Sequence, residues 1–173
     1  GPKDGKPIVT PGQDMVMGNF YLTMEETAEE FRAEAQRYLD VDCEEEAAMW
    51  NRFADNEAHV YGSIEEIMMA YQTKQIHLHS RIAVPARNLG KTSFTPEQMN
   101  KYLLTTVGKV IFNNMFPEDF PYLNEVSAAN FKATPDKFFL EMGKDIHEAI
   151  INLPITAAFK KKDLGKIIGE VFK

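Results

Sequence analysis

Cysteine is almost missing from this chain: Cys43 stands alone among 173 residues. One thiol excludes an intramolecular disulfide and a cysteine-based zinc cluster, and it fits a reducing compartment. No apolar run approaches the roughly 20 residues a helix needs to cross a bilayer, and the opening residues do not read as a signal peptide, so a cytoplasmic location is expected. No serine sits in a nucleophile elbow, no pair of carboxylates stands out for acid–base work, and no repeat or low-complexity tract is visible. Gly90-Lys91-Thr92 has the tail of a phosphate-binding loop, but that motif's first glycine would fall on Pro85, so a surface loop is the reading. Asp40, Asp42, Glu44 and Glu45 lack the sharp-turn glycine of a calcium loop and read as solvated helix ends.

What is present is acid, unevenly spread. Between Glu25 and Glu66 there are 14 acidic and 3 basic residues, a balance of −11, while the other residues carry 12 acidic and 16 basic, a balance of +4. An acidic block inside a mildly basic body suggests an insertion with its own surface, and it argues against phosphate contacts there. Apolar and aromatic content is ordinary, so the chain is long enough for one domain with a real core.

Lys6 to Thr23 organises the rest. A β-branched run, Ile8-Val9-Thr10, leads into a Pro-flanked Gly12-Gln13-Asp14 turn, and Met15 to Leu22 follows as a buried strand or helix. Thr23-Met24-Glu25-Glu26 has the form of a capping box and opens a helix to about Leu39. Asp40-Val41-Asp42 breaks it, and a second amphipathic helix runs from Cys43 to about Asn56, completing a helical hairpin. Ser63-Ile64-Glu65-Glu66 is a second capping box, starting a helix to about Thr73. Gln75 to Val84 alternates as a strand that Pro85 ends. Thr95-Pro96 starts a helix, and a strand ending at Thr105 or Thr106 passes into a helix to Asn114. After Pro117 and Pro121, a strand or helix is expected around Phe138, and a short apolar segment over 146–153. The last helix, Leu164 to Lys173 with Asp163 as N-cap, shows an apolar face (Leu164, Ile167, Ile168, Val171, Phe172) with no partner following it in sequence. On a strand, His77 and His79 would share one face at a spacing zinc can use, with a carboxylate from the preceding helix as a third ligand; a hydrogen-bonded pair is the plainer reading, and no metal ligand is assigned.

Several blocks, in order, resemble the bacterial RNA polymerase β′ subunit family. Residues 6–18, KPIVTPGQDMVMG, are similar to the stretch after that family's catalytic aspartate loop. Ala70-Tyr71-Gln72 with His77 to Arg81, Thr105 to Asn113, Phe120 to Glu125, Thr134 to Glu141 and Leu164 to Ile168 resemble later blocks, in the form found in low-GC Gram-positive bacteria. The resemblance covers nearly the whole chain except about residues 27–60. The sequence departs from the family's pattern at Gly12, usually Ser, and at Lys109, often Arg.

The resemblance implies an α+β fold: an irregular β-scaffold with packed helices (1–26 and 59–160), an inserted acidic helical hairpin (27–58), and the first arm of a rim helical hairpin (161–173). It implies a non-catalytic part of the subunit lining the secondary channel through which nucleoside triphosphates enter, inactive alone because the aspartate loop, bridge helix and trigger loop are not in this sequence. Mg²⁺ and Zn²⁺ would be bound by parent residues outside this chain. The implied partners are the β, α and ω subunits, DNA, RNA and nucleoside triphosphates in the assembled enzyme, and Gre-type channel factors. Gln13 would face nucleotide or the RNA 3′ end, with Asp14 supporting the turn; Lys166, Glu170 and Lys173 would form a factor-docking surface. The competing reading is an autonomous interaction module built on the acidic hairpin.

Overall fold

The computed structural model describes residues 13–125 and 134–171, with side chains from Gly18 onward. Ile8-Val9-Thr10, Phe172 and Lys173 lie outside these residues. Among the described residues there are eight α-helices and one three-stranded antiparallel sheet, an α+β fold.

The sheet carries the core. Strands β1 (Arg81–Pro85), β2 (Lys101–Thr106) and β3 (Phe139–Glu141) pair in that order, with Arg81 opposite Thr106, Val84 opposite Leu103, and Leu103 opposite Phe139. The outer edge of β1 is covered. Ala58 and Tyr61 donate N–H groups to the carbonyls of Arg81 (3.1 Å) and Ala83 (2.9 Å), so a segment of chain closes an edge that would otherwise invite another strand. Ile82, Val84 and Leu103 pack with Ile67 of α4 (Ile64–Gln72), with Val107 and Val110 of α6 (Val107–Asn114), and with Tyr122 and Phe138. Helix α5 is a single turn, Pro96–Met99, with Thr95 and Gln98 forming its capping box. Helix α7 (Ile146–Asn152) places Ile150 against Ala83 and Leu104.

Strand β2 runs into α6 without a loop. Thr106 is the last strand residue and also the N-cap, its hydroxyl accepting the Lys109 N–H at 3.1 Å. The strand expected over 75–84 is shorter. His77 to Ser80 form a turn in which the Ser80 hydroxyl accepts the His77 N–H (2.9 Å) and the His77 carbonyl accepts the Ser80 N–H (3.0 Å), so only Arg81 onward is strand. Period-two alternation is a side-chain signal, and here a side chain that satisfies its own backbone overrides it.

The hairpin is present, but its first cap is one turn later than expected. Helix α2 spans Ala28–Asp40, capped by Thr27 with Glu30 completing the box. Thr23 is fully buried; its hydroxyl donates to the Asn19 carbonyl (3.0 Å) and accepts the Phe159 N–H (3.1 Å). The sequence holds two Thr-x-x-Glu boxes four residues apart, and tertiary contacts select the second. Val41 caps α2, Asp42 takes a positive φ of 61°, and α3 follows over Glu44–Asp55. Phe31, Phe53 and Ala54 form the hairpin core with half-buried Trp50. Glu57 ties it to the body by accepting the Ala28 N–H (2.7 Å) and an Arg81 N–H (3.2 Å). Asn56 donates to the Gln75 carbonyl at 2.8 Å.

The last helix, α8, begins at Lys161, so Asp163 lies buried inside its first turn rather than at the cap. Its apolar face is not unpartnered. Leu164, Ile167 and Ile168 are fully buried, and the first two pack with Phe112, Phe116, Leu123, Phe159 and Leu22 of helix α1 (Gln13–Leu22). Lys91 is buried as well, not part of a surface loop. Its ammonium donates to the carbonyls of Asn113 (2.7 Å), Phe116 (3.2 Å) and Pro117 (3.2 Å), capping the C-terminal end of α6 where a positive charge is favoured. Burial pushes that ammonium below its ordinary range, against the opposing pull of Glu118 and Asp119.

Candidate functional site

The residues expected at the channel (Gln13, Asp14) and at a factor-docking rim (Lys166, Glu170) fall on two helices that pack together. Gln13 and Asp14 occupy the first turn of α1, rather than the tip of an irregular turn. Lys166 and Glu170 lie on the exposed side of α8. Helices α1 and α8 are in contact, and Thr23 at the end of α1 is hydrogen-bonded to the segment leading into α8. The side chains of Gln13 and Asp14, and the whole of Lys173, lie outside the described residues.

Behind α1 is a polar seam that the sequence did not reveal. The link between α1 and α2 supplies Glu25 and Glu26, and the turn before β1 supplies His77 and His79. The Glu25 carboxylate accepts from the ammonium of Lys109, whose side chain is 1% exposed. Next to it Glu57 pairs with Arg81, both side chains at or below 10% exposure. A cavity of about 10 Å³ lies among Glu25, Arg81, Thr105 and Asn124, room for one water and far too small for a nucleotide. Thr105 bonds both the Tyr122 hydroxyl (2.8 Å) and the Asn124 side-chain carbonyl (2.7 Å), fixing the Phe120 to Glu125 block to β2.

His79 meets acceptors on both nitrogens: Nδ1 lies 2.8 Å from the Glu26 carboxylate and Nε2 lies 2.8 Å from the Tyr21 carbonyl. The Tyr21 carbonyl can only accept, so Nε2 donates to it. The hydrogen bond between His79 and Glu26 is the largest cause holding the Glu26 carboxyl below its ordinary range, with burial acting against it. His77 is different. Its Nδ1 accepts the His79 backbone N–H at 3.0 Å, and its ring lies among Phe31, Trp50 and Phe53 at 5.2–5.5 Å between centroids. Burial, then the neighbouring His79, push the His77 imidazole down to about 4, while Glu26 pulls it up.

A pH dependence follows. His77 stays neutral in the folded protein down to about pH 4, whereas in the unfolded chain it takes a proton near 6.5. The unfolded state therefore binds more protons in that window, and stability falls as pH drops from about 6.5 to about 4, by at most about 3 kcal/mol. The lowered Glu26 carboxyl adds to the loss below its unfolded value of 4.5. Urea midpoints measured with a chelator present should fall between pH 7 and pH 4.5. The slope should flatten in His77→Phe, and an unchanged midpoint in the parent chain would contradict this assignment.

Neither the Glu25–Lys109 pair nor the Glu26 contact was readable beforehand, because partners 84 and 53 residues apart leave no local pattern. In the sequence Glu26 completes the Thr23 capping box, and that local role conceals the long-range one.

The seam beneath α1 holds two buried ion pairs, Glu25–Lys109 and Glu57–Arg81. The chain belongs to the RNA polymerase Rpb1, domain 3 family, matching its description over residues 1–173. Within that family it is similar to DNA-directed RNA polymerase subunit beta′ of Bacillus subtilis (strain 168), 46% identical over 173 residues, which is 99% of this chain and 12% of the relative. It is also similar to subunit beta′ of Streptococcus uberis (45%) and Geobacillus kaustophilus (46%), with the same coverage. The chain thus spans about an eighth of the length of the curated relatives it matches.

Proposed function

We propose that this chain is a non-catalytic segment of a β′ subunit that forms part of the wall of the secondary channel in DNA-templated RNA synthesis. The reading rests on the family match along the whole chain, and the seating of α1 supports it. Helix α1 carries Gln13 and Asp14 in its first turn and is held at its other end by Thr23, α6 and α8. A side-chain amide suits a nucleotide-entry path because it donates and accepts without adding charge near Mg²⁺ and triphosphate. In this reading Mg²⁺ and Zn²⁺ are held by parent residues outside this chain, and the partners are the β, α and ω subunits with template, transcript and nucleoside triphosphates. Gre-type factors dock at the rim through Lys166, Glu170 and Lys173. The location is cytoplasmic; among the described residues no helix is long and apolar enough to cross a membrane.

The test uses assembled polymerase. Gln13→Ala should change nucleotide use or pausing severalfold in single-round elongation, and unchanged kinetics would remove Gln13 from the channel. The autonomous-module reading is the weaker one, because Glu57, Asn56 and the aromatic packing on His77 join the hairpin to the scaffold.

A further inference from the structure

We propose that Glu26, His77 and His79 bind a zinc-class divalent cation in the seam between the α1–α2 link and the turn before β1. Their candidate ligand atoms, one from each side chain, all lie within 4.8 Å of one another. Glu26 Oε2 is 2.8 Å from His79 Nδ1 and 3.7 Å from His77 Nδ1. Tetrahedral zinc, with bonds of about 2.0–2.1 Å, separates its ligand atoms by about 3.3 Å, so small side-chain shifts complete the geometry. Two imidazoles and one carboxylate form a ligand set that leaves a fourth position for water, and they select zinc and its neighbours over Mg²⁺ or Ca²⁺.

The surroundings are those of a ligand set. Nε2–H of His79 is fixed on the Tyr21 carbonyl, the outer bond that orients a metal-binding imidazole and leaves Nδ1 to face the ion. His77 Nδ1 lies 3.7 Å from the Glu26 carboxylate, and its lone pair, now on the His79 backbone N–H, need only turn to face it. Phe31, Trp50, Phe53 and Tyr21 surround the two rings and limit competition from water. The Glu26 and His77 side chains keep 26% and 16% of their exposure, which gives a way in, while His79 at 2% does not.

The exchange balances. The cation enters between His79 Nδ1 and the Glu26 carboxylate, and any proton held there leaves to solvent. His77 Nδ1 turns from the His79 backbone N–H to the cation. Binding would lock Glu26 to the turn before β1 and so stiffen the seat of α1.

Zn²⁺ titrated into the full 173-residue chain against a chromogenic chelator should bind at one ion per chain and raise Tm with zinc concentration. Co²⁺ should give visible bands of tetrahedral intensity. Glu26→Gln and His77→Gln should each weaken Zn²⁺ by more than about tenfold, with unchanged far-ultraviolet spectra showing that both variants fold. His59→Gln, His147→Gln and Cys43→Ser should bind as the parent does, and millimolar Mg²⁺ should not compete. Absence of binding at about 100 μM Zn²⁺, or binding that survives Glu26→Gln and His77→Gln, overturns the site.

Discussion

Gly108→Ala should unfold this protein far more readily than any change of one methyl group elsewhere in its helices. A Cβ on Gly108 would lie 1.8 Å from the carbonyl oxygen of Leu22, 2.9 Å from the Leu22 carbonyl carbon and 3.1 Å from the Leu78 carbonyl oxygen. All three are backbone atoms, and no side-chain rotation relieves the overlap. The position is a crossing of three segments: the start of α6, the last residue of α1 and the turn holding His77 and His79. Gly108 also donates its N–H to the Leu78 carbonyl at 2.7 Å, so α6 cannot back away without breaking that bond. The expected loss is about 3 kcal/mol or more, the upper end of what overpacking typically costs, because the overlap is with backbone. Gly165→Ala is the control. Gly165 sits on the exposed side of α8 with nothing within 4 Å of a new Cβ, and alanine there should add about 0.5–1 kcal/mol from helix propensity. Urea unfolding of both variants decides the matter; a Gly108→Ala midpoint within experimental error of the parent would mean that the crossing relaxes freely. The Thr105 to Asn113 block, quoted above as a resemblance, thereby acquires a physical reason for its glycine.

The same crossing shows what a sequence can and cannot disclose. Local chemistry was legible wherever one segment decides its own conformation. The passage from strand to helix at Thr105 or Thr106, the break at Asp40 to Asp42 between the hairpin's two helices, and the helix start at Thr95-Pro96 all follow from local residues. The Ser63 cap was half right: its hydroxyl accepts the Glu66 N–H, but the Glu66 carboxylate goes to the Gly62 N–H at 2.6 Å. The misplaced features share one cause. Thr23, Glu25, Glu26 and Asp163 have the composition of helix ends, yet Thr23 and Asp163 are buried and the two glutamates pair with residues far along the chain. Lys91 looked like a loop lysine because nothing nearby indicates that the end of α6 needs a cation. Surface charge and interior charge use the same residue types, and only tertiary placement separates them. The acidic balance of the hairpin region is therefore partly interior: Glu25, Glu26 and Glu57 hold the scaffold together and are not part of a solvated face.

Lys109→Met should be the costliest of the charge deletions. Lys109 is 1% exposed and lies 5.8 Å above the Phe159 ring, and its partner Glu25 keeps 9% exposure. Burial lowers the Lys109 ammonium, Glu25 supports it in the charged form, and Glu125 adds a smaller pull in the same direction. Removing the lysine leaves a carboxylate in a place that water barely reaches, a loss of about 3–5 kcal/mol. The pair itself need not be worth that much. Two desolvated charges roughly offset their own attraction, so the double variant Glu25→Leu with Lys109→Met should recover most of the loss and can exceed the parent. A double-mutant cycle read by urea unfolding therefore predicts a large coupling with little net stabilisation, and additive single losses would refute it. Raising the salt should leave the buried pair's coupling nearly unchanged, whereas the exposed Arg32–Asp55 pair should weaken. If stability does not account for the pair, position does. Glu25 lies three residues past the end of α1, so its bond to α6 helps set where α1 stops relative to the sheet. The double variant should then keep its midpoint while the amide of Thr23, bonded to the Asn19 carbonyl at 3.1 Å, exchanges faster than in the parent. Unaltered exchange there would show that Thr23 and Gly108 hold the helix without the charges.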